Sequence, residues 1–296
     1  NRLALNIEPV GLNSDEVYDI LRKRLFCDNE EMATDVNEVA IAYKDAIATT
    51  AKLNLTTIRN EKLYTDLKDS YPFHPSIKDL YARFKENAGF QQTRGLIRLM
   101  RQIVRQFYEG GQAKTNYLIN VFDIDLNDRA MLSTIKQIKN SVEVAIAHDI
   151  AQNGKSTAEE IDQANGFNQV AQTVSKLILM ASLSDINHAL LGLTESEILG
   201  YLSAPNVDIQ NVKQALELIR NKAWYLKVDS RGHIYFQNTK NMVAEMCSLI
   251  ESYSNEQAKK DLRQFLESKF EAKPPKACYQ QVYALPALNQ VKLDKE

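Results

Sequence analysis

Residues 93–105 read TRGLIRLMRQIVR, with arginines at 94, 98, 101 and 105 stepping by four, three and four. On a helix that spacing lines four guanidinium groups along one stripe, while Leu96, Ile97, Met100, Ile103, Val104 and Phe107 populate the other side. A row of cations on such a helix is ordinarily a solvated face. Arg94 is a special case because it falls in the first turn, where unpaired N–H groups and the helix dipole favour an anion. A guanidinium there can join those groups around a phosphate. A cation at that end disfavours an isolated helix, which argues for an anionic partner. At 1.5 Å per residue Arg105 sits about 16 Å further along the axis, so one phosphate cluster cannot engage both ends.

Other chemical readings are weaker. AQNGKST, residues 151–157, resembles a phosphate loop, but a glycine is needed five residues before Gly154 and Asp149 stands there. A helix is expected before it, where a phosphate loop needs a strand, and no acidic strand end offers itself to magnesium. The histidines at 74, 148, 188 and 233 are scattered without metal-ligand spacing, and His148-Asp149 has no nucleophile in a recognisable setting. His74, between Pro72 and Pro75, reads as a hydrogen-bonding brace of a bend. Cys27, Cys247 and Cys278 are odd in number and far apart, which excludes a paired metal site and fits a reducing cytoplasm.

The elements that position these residues follow from composition and period. A length of 296 residues allows two or three domains, and few Gly and Pro among long runs of helix formers predict a mainly α protein. The net charge of -2 excludes a global basic field for nucleic acid. No apolar run is long enough for a bilayer and no signal-like start is present, so the chain reads as soluble and cytoplasmic, without a membrane partner. Both ends, NRLALNIEPVG and YALPALNQVKLDKE, read as cut edges of a larger protein, the first as an isolated strand.

Ser14 is the expected cap of a helix reaching about Phe26. Further helices are expected over about 34–50, over NEKLYTDLKDS, and near 76–87 and 93–108, with a break at Pro72 and Pro75. One long helix is expected from about Asp128 to Gln152, and another in GFNQVAQTVSKLILMASLS. From 193 the character changes. A Thr194-capped helix carries Glu197 three residues on, the chain turns at Pro205, and a helix starts at Asp208. WYLKVD and HIYFQN around Ser230-Arg231-Gly232 then read as a hairpin, and a last helix is expected at roughly 240–269. Helix, turn, helix, hairpin is the order of a winged helix. Trp224, Tyr225, Tyr235 and Phe236 read as its packing in preference to base-stacking groups. Six cations against five anions between Thr194 and Lys240 leave little basic field, so DNA and protein partners both stay open. For DNA, Lys213 and Gln214 on the second helix and Arg231 at the wing tip are the candidate contacts.

YPFHPS, GFQQTRGLIRLM, AIAHDI and NKAWYLKVDSRGHIYFQNT together resemble the C-terminal part of the large P-loop ATPases of a domain-of-unknown-function family. That family occurs among bacterial and archaeal phage-defence loci and includes the BREX-associated P-loop proteins. The resemblance runs from about 15 to 241. Such proteins are related to AAA-type ATPases of the origin-recognition kind, in which a helical lid and a winged-helix domain follow the nucleotide-binding core. The resemblance implies the end of an ATPase core and helical lid over 1–112, a helical extension over 113–192, a winged-helix domain and following helix over 193–270, and a linker into a further domain over 271–296. It implies that Arg94 reaches the nucleotide phosphates as a sensor, with ATP and magnesium held by catalytic residues upstream of Asn1, so that this chain by itself is no enzyme. The implied partners are the ATPase core in cis, further copies of the parent in a homo-oligomer, and DNA or a defence-system protein. Family members commonly carry Gln-Arg-Thr-Arg-Gly, where this chain has Gln92 in place of the first arginine. A stand-alone winged-helix DNA-binding module and a non-enzymatic interaction scaffold are the alternatives.

Overall fold

The computed structural model describes residues 16–26, 33–87, 90–185, 191–270 and 283–286. These residues are mainly helical, and they divide into a unit ending at Met242 and a unit starting at Val243. The strand expected near the start, Ser14, Cys27, His188, Cys278 and nearly all of the final apolar segment lie outside the described residues.

In the first unit, α1 (Val17–Leu25) begins with Glu16 at the cap position and buries Val17, Tyr18 and Leu21. Helices α2 (Ala33–Lys52) and α3 (Asn60–Ser70) enclose a small core of Ala40, Tyr43, Ile47, Leu63, Leu67 and Leu118. The chain then bends at residues 71–75. His74 is buried there. Its Nδ1 accepts the Ser76 N–H at 3.1 Å and lies 2.7 Å from the Ser76 hydroxyl, while its own N–H donates to the Ile119 carbonyl at 2.9 Å. The brace expected of this histidine is present, and burial pushes its pKa down to about 4.

Helices α4 (Ser76–Phe84) and α5 (Gln92–Glu109) follow. At Gly95 a Cβ would overlap the carbonyl oxygen of Phe90 in the link between them, so only glycine lets the start of α5 approach that link so closely. Tyr81, Phe84 and Phe90 interlock edge-on beneath that contact. The arginine stripe falls on the exposed side, and Leu96, Met100, Ile103 and Phe107 enter the core as expected; Ile97 and Val104 are only partly buried, and Leu99, not expected there, is buried as well.

The single helix expected over 128–152 is interrupted. Helix α6 (Arg129–Ile138), capped by Asp128 on the Ala130 and Met131 N–H groups, stops at Lys139, which is extended. Its ammonium donates to the Ser182 and Ser184 carbonyls at 3.0 and 2.6 Å, so satisfying the end of a distant helix outweighs continuing its own. A 3₁₀ turn, the short α7 (Glu143–Ala145) and a π-turn over Ile146–Ile150 follow. Helix α8 (Thr157–Asn165) then opens on a Ser156–Glu159 capping box, a signal present in the sequence but hidden by its likeness to a phosphate loop.

Helix α9 (Val170–Ala181) is the most buried of the set and is capped by Asp162, which accepts the Ala171 and Gln172 N–H groups at 2.7 and 3.1 Å. Next come α10 (Glu195–Tyr201), with the expected Thr194–Glu197 capping box, and α11 (Ile209–Lys222), capped by Asp208. Arg83 of α4 donates to the Gly192 carbonyl at 2.6 Å and lies 3.8 Å from Glu197, tying the two halves of the unit together.

The expected hairpin is formed by β1 (Leu226–Val228) and β2 (Ile234–Phe236), antiparallel with Lys227 opposite Tyr235. On the other side of β2, Leu193 exchanges backbone hydrogen bonds with Ile234 at 3.1 and 2.8 Å. Gly192 makes room for this pairing at φ +76°, since a Cβ would lie 2.6 Å from the Ile234 oxygen. Helix α9 packs against both α11 and β2. One continuous apolar core runs from Val17 to Phe236.

The last helix, expected as one, is two in the second unit: α12 (Met242–Ser252) and α13 (Asn255–Phe270). The Ser254 hydroxyl accepts the Gln257 N–H at 3.1 Å and starts α13 afresh. Among the described residues, no helix is long and apolar enough to cross a membrane.

Candidate functional site

Arg94 lies in the first turn of α5 and is exposed, as are Arg98, Arg101 and Arg105. Arg105 is engaged by Glu109 at 2.9 Å. The cap residue Gln91, at φ +57°, supplies no side-chain acceptor, and its carbonyl receives the N–H groups of Arg94 and Gly95. The first turn is further fixed by a Thr93–Tyr81 side-chain hydrogen bond.

In the phosphate-loop look-alike, two of the loop N–H groups are already taken. The carboxylate of Glu159 accepts the N–H groups of Gln152 and Ser156 at 2.9 and 3.0 Å and the Ser156 hydroxyl at 2.8 Å. Asn127 donates to its other oxygen at 3.1 Å. Burial raises the pKa of Glu159, but these amide and hydroxyl donors outweigh it and hold the carboxyl below its ordinary value. The loop therefore already cradles an anion, its own. A π-turn precedes it, and among the described residues no group of three or more His, Cys, Asp or Glu is placed to hold a metal. ATP and magnesium, which the resemblance implies, do not fit the residues around this loop.

The π-turn has a structural consequence elsewhere. It turns Asp149 inward, where the buried carboxylate accepts the N–H groups of Trp224 and Tyr225 at 3.1 and 2.7 Å and the Thr157 hydroxyl at 3.2 Å. His148 Nδ1 lies 2.7 Å from the same carboxylate, and its ring stacks on Trp224 with centroids 4.2 Å apart. The Lys240 ammonium stands 4.6 Å from the centre of the Trp224 ring. Thus His148 and Asp149 hold the entry to β1. Nothing in the sequence pairs residues 149 and 225.

Of the candidate nucleic-acid contacts, Lys213 and Gln214 share α11, with Gln214 exposed and Lys213 partly so. Arg231 is at the hairpin tip, its guanidinium bound to Asp229 at 3.1 and 3.2 Å. The His233 N–H, against the opposing effect of burial, and then the His233 ring and Arg231 hold the Asp229 carboxyl well below the usual range. A fully engaged carboxylate beside the arginine at the hairpin tip neutralises the field a DNA backbone would meet.

A cleft of about 550 Å³ opens next to these residues, between the C-terminal half of α11 and β1. Glu217, Arg220 and Asn221 line one side, Lys227 and Val228 the other, and Asn241 closes one end. Arg220 reaches Glu195 at 3.3 Å, and Lys227 donates to the Lys240 carbonyl at 2.9 Å. The sequence reading passed over Lys227 and Arg220 because their proximity depends on the hairpin folding back along α11.

No curated protein and no solved structure matches this chain. A family model, that of the DUF499 second domain, matches residues 12–191, which include Arg94, Asp149 and Glu159 and end just before Leu193. With well over half of its length matched, the chain belongs to the DUF499 family.

Proposed function

We propose that this chain is a non-catalytic part of a larger ATP-hydrolysing protein, and that its residues from α9 to β2 form a winged helix that docks a protein partner. The observation that carries the reading is topological: α9, the Leu193 bridge, α10, α11, β1 and β2 follow one another in that order, with Leu193 and β1 on opposite sides of β2. That is the order of helices and strands in a winged helix. Support for the ATPase comes from the resemblance of YPFHPS, GFQQTRGLIRLM and AIAHDI, and Arg94 keeps its proposed role as the nucleotide sensor of the longer protein. Charge favours protein over duplex as the partner, since Arg231 is held by Asp229 and the exposed start of α11 offers Gln210 and Gln214 with only Lys213 as a cation. A prokaryotic anti-phage system is the proposed setting, again by resemblance.

Phosphate release by this chain alone, with ATP and magnesium at high protein concentration, is expected to stay at background. Turnover that survives repurification and falls with a substitution in this chain overturns the non-catalytic reading. Labelled duplex DNA titrated at two ionic strengths is expected to bind weakly and only at the lower. Tight, salt-tolerant, sequence-selective binding makes the winged helix a DNA reader instead.

A further inference from the structure

The outer edge of β1 is a strand template that the chain itself starts to fill and then leaves. In an antiparallel ladder alternate residues face the partner strand, and the Asp229 N–H to His233 carbonyl and Gln237 N–H to Tyr225 carbonyl bonds place 225, 227 and 229 toward β2. The backbone groups of Trp224, Leu226 and Val228 therefore face the other way. The Trp224 carbonyl is taken by the Asn241 N–H, where the chain returns past the hairpin. Among the described residues, no backbone hydrogen bond outside the hairpin reaches Leu226 or Val228. Val228 is 47% exposed, and the cleft beside α11 runs along this edge.

Charge indicates what fits there. Arg220 and Lys227 line the cleft, with Lys222 ending α11 and Lys240 next to the lining residue Asn241. Glu217 and Glu195 are the opposing anions. Lys227 donates to the Lys240 carbonyl and among the described residues pairs with no carboxylate, and Arg220–Glu195, one 3.3 Å contact where Arg231–Asp229 has two, exchanges at little cost. We infer that the β1 edge accepts a short, extended, acidic segment of a partner protein, which adds as a strand beside Leu226 and Val228 and directs its carboxylates to Arg220 and Lys227. Main-chain pairing gives such a complex its register, and the cations select the side chains. The inference rests on the docking-module reading and names its partner class.

The test uses a fluorescein-labelled heptapeptide of alternating valine and glutamate, its lysine-for-glutamate counterpart, a version N-methylated at alternate residues, and a short labelled duplex. Anisotropy is expected to rise with the glutamate peptide and not with the other three. Lys227→Glu combined with Arg220→Glu is expected to weaken binding by more than about ten-fold, the loss of two charge-assisted contacts. Val228→Pro removes an outward N–H without breaking the hairpin ladder, and is expected to abolish binding with the melting temperature little changed. Hydrogen exchange is expected to slow at the Leu226 and Val228 amides when the glutamate peptide is bound. If Val228→Pro unfolds the chain, the N-methylated peptide still decides the matter on the unaltered protein. Equal binding of the methylated peptide, or no slowing at those amides, overturns strand addition. Tighter binding of the duplex, weakened by the same charge reversals, makes the cleft a phosphate path and also overturns it. Failure of every peptide overturns the acidic-strand partner. In that case, ATP hydrolysis by the longer protein that still responds to Lys227→Glu preserves the docking module.

Discussion

Asp149 and Tyr225, separated by 76 positions in the chain, are joined by a 2.7 Å hydrogen bond from a backbone N–H to a buried carboxylate. The same carboxylate receives Trp224, so one side chain from a π-turn fixes where the hairpin begins. A second such bond ties β2 to the end of α9, the Phe236 N–H donating to the Ser182 hydroxyl at 2.8 Å.

Asp149→Ala leaves the Trp224 and Tyr225 N–H groups without their acceptor and the Thr157 hydroxyl with only the His148 carbonyl at 3.4 Å. The expected loss is roughly 2–4 kcal/mol of unfolding free energy, since each stranded buried donor costs about 1–3 kcal/mol. Urea denaturation followed by Trp224 fluorescence reads both the loss and the altered surroundings of the indole. A change below about 0.5 kcal/mol, the usual scatter of surface substitutions, shows that the joint is dispensable.

Gly95→Ala places a methyl group into the Phe90 carbonyl. Helix propensity alone predicts a gain of about 1 kcal/mol for alanine over glycine. The overlap is expected to win, with a net loss of about 1–3 kcal/mol as the start of α5 is pushed from the link at Phe90. Thermal melting separates the two outcomes by sign.

The pH dependence of stability contains two opposing contributions. The pKa of His74 is depressed to about 4 by burial, so its contribution is present above about 6.5, the unfolded value, and is lost as pH falls toward 4. Asp123 is pushed up to about 6 by burial, against the opposing N–H and side-chain amide of Asn120, so its effect on stability is most favourable below about 4 and is lost as pH rises through 6. Between pH 6.5 and 4, His74→Asn is therefore expected to gain stability relative to the unaltered chain, and Asp123→Asn to lose it. Denaturant titrations at several pH values supply both difference curves, and parallel curves for either variant refute the assignment for that residue.

If the proposal of a longer ATP-hydrolysing protein is right, Arg94→Ala in that protein is expected to impair nucleotide binding or hydrolysis by roughly ten-fold or more, because a charge-assisted contact is worth about 1.5–3 kcal/mol. Arg105→Ala is expected to spare both, since its guanidinium is already engaged by Glu109. Steady-state hydrolysis and nucleotide affinity for the two folded variants, side by side, make the comparison. Normal kinetics for Arg94→Ala leave the stripe as a solvated face.

The sequence by itself determined what depends on neighbours within about four positions. The amphipathic faces of α2 and α5, the caps at Asp128, Thr194 and Asp208, and the hairpin turning at 230–232 are all set by contacts of that range. The same reasoning placed Arg94 in a first turn and on an exposed stripe. It failed where a distant partner outweighed a local preference. Residues 128–152 carry a continuous helical pattern, yet the chain breaks at Lys139 because carbonyls 43 and 45 positions away take its ammonium. The loop at 151–156 looks like a phosphate cradle until Glu159 is seen to fill it. Asp149 gives no local sign that it holds the hairpin, and Lys227 gives none that it borders a cleft. Only the tertiary structure decided these, because a buried carboxylate or ammonium must find its partners wherever the fold brings them, and sequence distance carries no information about that.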